Sequence, residues 1–595
     1  VRQIIDSLAC LAVAVIVFRV FLLEGYIIST GSMAPSLLGY HKQVVCPDCQ
    51  FEFAYGVAFD RPKMEPLQLA TCPNCGQAAI DLTNVPRNDG DQLLVSKHAY
   101  FFGGPKRWEV VVFLNPNNPN QAYVKRVVGL PGETIHVRDG DVYINGRIQR
   151  KTIAQQRAIR IPVFAQEYQA SHSNWIPRWR TDAEWAHQDS AFRFSEALNS
   201  QGNAGSGNSF GHTDAEPLPG TTSSSWVRYY HWPRLSPYTS PGDIEMGRIM
   251  GGTTRPDVIT DHYGYNPSSR VPEKYRVNDL MLSTKLVFGQ QGGEQQDDWQ
   301  QRGRSETADD ASVAVTGEFV ARLSCRAKQV VCRIDADSRK LDLWVVGSSE
   351  SEVDLVLHGG RKADATVPLR EDWLRTELEF ELSSFDRQAM VAVNGVELAV
   401  LRLDDELRDV PNGSGSESPE GDLSKITVAG YASDSGLQAS ESRPVRGARG
   451  IQQSAWTGGV EADGKDFAEA AVREQSGSGQ SESGQSLSPV AFGARRGSVQ
   501  VRSVTLYRDV HYTTENHRHA TDRPLTLGDD EFFFLGDNSP VSLDSRGWVN
   551  PVVPRHLLVG RPLIVHLPSH PGRVKVGSMV KYIRVPDFSK IRCIR

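Results

Sequence analysis

No block of consecutive basic residues occurs in this chain, and its 65 Lys and Arg stand against 71 Asp and Glu, a net charge of −6. A nucleic-acid partner, which needs a basic stripe to meet phosphates, is not expected. No histidine pair has His-Glu-x-x-His spacing, so a zincin-type peptidase is excluded, and His41, His98 and His136 are read as ordinary surface or core residues. Cysteine is scarce, eight in 595 residues, and its spacing is not that of a disulfide scaffold. Long apolar runs are missing apart from one near the start. At this length the chain should form two to four domains rather than one core.

That single run, residues 3–23, would reach about 30 Å as a helix, enough for the hydrocarbon core of a bilayer. Asp6 and Arg19 lie near its ends, where an arginine can extend its guanidinium to the interface. A cleavable export signal is the alternative. Arg2 favours an orientation with the N-terminus inside, so the rest of the chain is expected on the extracytoplasmic side of the cell (inner) membrane, held by a single-pass anchor.

Past the anchor the pattern is mostly β. Residues 93–97, 109–114, 122–129 and 133–138 are short and rich in β-branched side chains, and Asp-Gly-Asp (139–141) and Asn-Gly (145–146) mark hairpin turns around Val142–Ile144. The same style resumes at 523–590. We therefore expect an anchor at 1–25 and a β-rich domain split into 26–45, 81–150 and 523–595. A cysteine-bearing insert occupies 46–80, and a large insertion occupies 151–522. The first part of that insertion, 151–275, is rich in aromatics (Trp175, Trp179, Trp185, Phe192, Phe194, Trp226, Tyr229, Tyr230, Trp232) and in Gly and Ser; the bland reading, preferred here, is that the aromatics are core. From 276 to 522 alternating strands predict a jelly-roll-like β-sandwich, with Gly/Ser/Glu-rich loops at 411–424 and 473–488.

Two Cys-x-x-Cys pairs, Cys46/Cys49 and Cys72/Cys75, are separated by 22 residues. Two such knuckles supply four thiolates for tetrahedral zinc, as in a zinc ribbon. Four protein ligands leave no open position, so the metal would be structural and not catalytic. Local disulfides are the alternative in an oxidising compartment. Cys325 and Cys332 could pair across neighbouring strands or remain buried thiols.

The chemistry-bearing residues are Ser32, in Ser-Thr-Gly-Ser-Met-Ala-Pro (29–35), and Lys125, in Tyr-Val-Lys-Arg-Val-Val-Gly-Leu-Pro-Gly (123–132). A serine hydroxyl needs a base within hydrogen-bond reach to attack an amide. Lysine can serve if burial brings its pKa towards neutrality, and Tyr123, Val124, Val127 and Val128 supply an apolar setting. On strand alternation Lys125 turns inward and Arg126, on the opposite face, is solvated.

A third run, Phe-Leu-Gly-Asp-Asn-Ser-Pro-Val-Ser-Leu-Asp-Ser-Arg-Gly-Trp (534–548), completes a set of boxes that resembles the type I signal peptidases, the bacterial leader peptidases. The resemblance implies a Ser-Lys dyad with Ser32 as nucleophile and Lys125 as general base. It implies an oxyanion hole from the Thr30 hydroxyl and the Ser32 backbone N–H. Ser542 would orient the lysine amine, Asp544 and Arg546 would form a supporting ion pair, and Asp537 and Asn538 complete the box. It further implies substrates that are signal peptides of exported preproteins, cut after small residues at −1 and −3, in pockets that Ile27, Ile28 and Tyr123 are expected to line. The partners would then be signal peptides and the lipid bilayer. A self-cleaving repressor type of Ser-Lys peptidase lacks an anchor and fits less well. The rival from another class is an anchored surface-binding protein whose lectin-like insertion holds a glycan or cell-wall ligand.

Overall fold

A computed structural model describes residues 22–57, 69–170, 177–188, 190–195, 224–232, 256–267, 275–290, 314–403, 488–576 and 579–594, with isolated positions between 3 and 11. The expected span at 3–23, Trp175, and the loops at 411–424 and most of 473–488 lie outside them. Among the described residues no helix is long and apolar enough to cross a membrane. What is described is mostly β.

Strands from both ends of the chain build one antiparallel sheet. Its order is Leu23–Ile27, Gln92–Ser96, Leu558–Val565, Val110–Asn115, Asn118–Gly129, Glu531–Leu535 and Val553–Pro554. Period-two alternation sorts its side chains into two cores. Val110 and Val112 face Met33, Leu37, Leu93 and Val95, while Val111 and Phe113 face Val127, Phe534 and Trp548. Phe113 stacks on Phe534 with centroids 4.3 Å apart, so the run at 534–548 is packed onto the strands beside Lys125.

A smaller sheet, Arg147–Ile148, Asp141–Ile144, Thr134–Arg138 and Leu525–Thr526, adjoins it. Its two hairpins turn at Asp139-Gly140 and Asn145-Gly146, all four residues having positive φ, the conformation that these residue types tolerate best.

The large insertion centres on one 19-residue strand, Val490–Arg508. Its first part pairs with Val315–Cys325 and Ser225–Tyr229, and its second part with Leu280–Gln290, Ile161–Ala165 and Ala191–Ser195. The strand so belongs to two sheets, whose inner faces meet through contacts such as Phe319 against Phe380. Trp179, Trp185, Phe192, Phe194 and Tyr229 all sit in this core, and Trp226 and Trp232 are also buried. The described aromatics are core residues except Tyr230, which is half-buried, and strands before and after residue 276 share the same central strand. Cys325 and Cys332 are buried free thiols.

Candidate active site

Ser32 follows the edge strand Leu23–Ile27 on a tight turn. Ala34 N–H donates to the Gly31 carbonyl and Leu37 N–H to the Met33 carbonyl, and buried Met33, Ala34 and Leu37 anchor the turn in the core. Anchored this way, Ser32 stays half-exposed beside Lys125. The Lys125 amine donates to Ser32 Oγ, and the Thr30 hydroxyl lies 3.4 Å from the same oxygen. Ile28 is buried, Ile27 exposed, and the Tyr123 ring centroid is 6.0 Å from Lys125 Nζ.

Lys125 is 4% exposed and pairs in register with Val111. Burial pushes its amine down to about 8, because the ammonium form loses hydration; Asp544 and Asp537 pull the other way and Arg546 assists. The two acids do not recapture the proton because each already has a cation. Asp544 accepts from Arg546 Nε at 2.9 Å and Nη2 at 2.7 Å, and Asp537 accepts from Arg126 Nε at 2.7 Å and Nη2 at 2.6 Å. Both are two-pronged guanidinium–carboxylate pairs, the strongest geometry for such contacts.

Arg126 corrects the sequence reading. It is 1% exposed, not solvated, because Asp537 covers the outer face of its strand and the Trp108 carbonyl accepts from Nη1 at 2.6 Å. Alternation marks a face as polar but does not reveal that another part of the chain covers it.

Ser542 is also placed differently from the resemblance. After the short turn Ser539–Val541 its buried hydroxyl points at Gly536, and it has no hydrogen-bond partner among the described residues. The lysine is instead held by Ser32. Gly536 is where the third run meets Ser32: a Cβ there would lie 2.5 Å from the Ser32 carbonyl oxygen and 2.1 Å from Ser542 Oγ, so only glycine permits the approach. Asn538 N–H then donates to the Ser32 carbonyl at 3.1 Å, and its side-chain amide to the Gly31 carbonyl at 2.9 Å.

Ser539, within the third run, and two residues outside the recognised boxes, Tyr263 and Asn266, also belong here. Ser539 Oγ, fully buried, accepts from Thr513 N–H and from Arg546 Nη1, both at 2.8 Å. Tyr263 donates its hydroxyl to the Asp537 carbonyl at 2.7 Å, and Asn266 exchanges amide hydrogen bonds with Asn538 at 2.8 and 2.7 Å. No local motif announces Tyr263 or Asn266, which lie more than 270 residues from their partners in the chain.

The four cysteines at 46, 49, 72 and 75 are brought together and buried, with Sγ atoms within 4.8 Å of one another. Each knuckle has the same turn: Gln50 N–H to Cys46 carbonyl, Gly76 N–H to Cys72 carbonyl, with Gln50 and Gly76 at positive φ. The Cys46–Cys75 and Cys49–Cys72 sulfur separations are 3.6 and 3.7 Å, and all four are free thiols. A tetrahedron of sulfurs about 2.3 Å from zinc has edges of about 3.8 Å. The donor set therefore fits a zinc ion and does not require local disulfides.

Residues 84–196, which contain Lys125 but neither Ser32 nor the run at 534–548, match the family described as signal peptidase, peptidase S26. The chain is 47% identical over 64 residues to signal peptidase I of Leptolyngbya laminosa, covering 10% of this chain and 32% of that one. It is 40% identical over 72 residues to signal peptidase I of Pseudomonas aeruginosa, 10% and 25% of the two chains. Against the probable signal peptidase I-1 of Synechocystis it is 34% identical over 106 residues, 15% and 54%. The chain thus spans roughly a quarter to a half of the length of these relatives.

Proposed function

We propose that this chain is a membrane-bound serine endopeptidase that removes N-terminal signal peptides from exported preproteins. The observation that carries the reading is a buried lysine amine on the Ser32 hydroxyl, with both neighbouring carboxylates held by arginines. Neutral Lys125 takes the Ser32 proton as Oγ attacks the scissile carbonyl. The resulting oxyanion is met by the Thr30 hydroxyl and the Ser32 N–H. Lys125 then gives its proton to the departing amine, leaving an acyl-enzyme, and finally draws a proton from the water that releases the new C-terminus. Small side chains at −1 and −3 would sit against Ile28 and Tyr123. The four-cysteine cluster would hold structural zinc, and the run at 3–23 would anchor the catalytic sheet at the extracytoplasmic surface of the cell membrane.

The test is cleavage of a preprotein carrying an Ala-x-Ala site by the detergent-purified chain, alongside Lys125→Ala. Activity in the parent and its loss in a folded variant are expected. A folded, metal-loaded parent without activity would favour a surface-binding protein, and equal activity in both would remove Lys125 as the base.

A further inference from the structure

The recognised boxes leave one contact unexplained. A segment of the insertion, residues 261–267, reaches across to the nucleophile turn. Its Tyr265 ring lies over Gly31 and Gly56: a Cβ at either glycine would come within 2.0 and 2.3 Å of Tyr265 Cε1. The Tyr265 hydroxyl donates to the Tyr40 carbonyl at 2.9 Å, and its own carbonyl accepts from Gly56 N–H at 2.7 Å. Next to it, Gly264 packs so tightly on Pro73, inside the second cysteine knuckle, that a Cβ would sit 2.9 Å from Pro73 Cγ. Asn266 completes the segment with its paired amide bonds to Asn538, the residue whose backbone and side chain hold the Ser32 and Gly31 carbonyls.

We infer that this segment is a clip that sets the nucleophile turn for catalysis, with Asn266 a positioning residue acting through Asn538. Resting on the peptidase reading, it assigns to the insertion a share in the active site rather than a separate task. The logic is one of saturation. Asn538 Oδ1 is buried and accepts from Asn266 Nδ2, while Asn538 Nδ2 is divided between Gly31 and Asn266. Without Asn266 the Asn538 amide is free to rotate, and the Gly31–Ser32 peptide, whose N–H faces the developing oxyanion in the proposed mechanism, loses its fixed direction. A displacement of about 1 Å at such a point costs up to about 10²-fold in rate.

Two variants of the full chain test this. Asn266→Ala should lower kcat by about 10-fold to 10²-fold with KM nearly unchanged, since the interaction acts on the reacting turn and not on substrate binding. Asn266→Asp keeps the volume, so it carries the test if the alanine variant does not fold. Ionised, its carboxylate cannot donate to Asn538 Oδ1; protonated, it can. The ratio of its kcat to the parent's should therefore rise as pH is lowered, whereas a merely structural effect leaves that ratio flat. An active parent with unchanged kcat in both variants, or a flat ratio, overturns the clip alone. A folded but inactive parent overturns the peptidase reading and the clip together.

Discussion

Two lysines of this chain are almost equally buried and have opposite fates. Lys125 is 4% exposed and Lys151 3%. Burial lowers the pKa of both, but Lys125 ends depressed, at about 8, while Lys151 ends well above the usual lysine range because Asp386 and Asp509 more than offset the burial. The Lys151 amine donates to Asp386 and lies 2.9 Å from Asp509, over the face of Trp108 at 4.6 Å. Around Lys125 the two nearest acids are each already gripped by an arginine, and the amine is left with a hydroxyl. Burial alone does not make a base; it does so only where the surrounding carboxylates are committed elsewhere. Lys151 is a staple between the small sheet and the insertion, and Lys125 is the amine left available to a hydroxyl.

The comparison can be broken most severely by Lys125→Ala, which should reduce preprotein cleavage by about 10²–10⁴-fold while far-ultraviolet circular dichroism stays that of the parent. Lys151→Ala should do the reverse. Leaving Asp386 and Asp509 buried without their cation should cost about 3–5 kcal/mol in stability, read by denaturant unfolding, with the pH midpoint of any remaining activity unmoved. The pH profile of the parent sharpens the contrast. Only neutral Lys125 can accept the Ser32 proton, so kcat/KM should rise with pH, about tenfold per unit on the acid side, and level off above a midpoint near 8. A midpoint near 10 would mean that burial does not depress the amine. The mildest perturbation is a chelator, which would strip the zinc proposed for the four-cysteine cluster. It should lower the melting temperature and release one equivalent of metal per chain, leaving the Lys125 midpoint where it was.

Part of the arrangement around Ser32 and Lys125 is legible in the sequence. Ser32 and Lys125 announce themselves because each sits in a short, distinctive run, and the cysteine knuckles because metal geometry restricts their spacing. The hairpins at Asp139-Gly140 and Asn145-Gly146 were legible for the same reason, since positive φ restricts the residues that can occupy a turn. Arg126 was misread because alternation along a strand cannot see Asp537 arriving from 411 residues away. Ser542 was given a bond to the lysine, but the turn Ser539–Val541 aims its hydroxyl at Gly536 instead.

The sequence by itself therefore determined the local chemistry: a serine in a tight turn, a lysine in an apolar strand, four thiols in two knuckles, and a mostly β chain. These depend on neighbours within a few residues, where spacing and backbone preference act directly. Only the tertiary structure decided which charges are neutralised, and hence that Lys125 and not Lys151 has a lowered pKa. It alone brought Tyr263 and Asn266 from the insertion onto Asp537 and Asn538, and Tyr265 onto the turn that carries Ser32. Such outcomes hang on which long-range partner fills each buried hydrogen-bonding position, and that is settled by how the sheets pack.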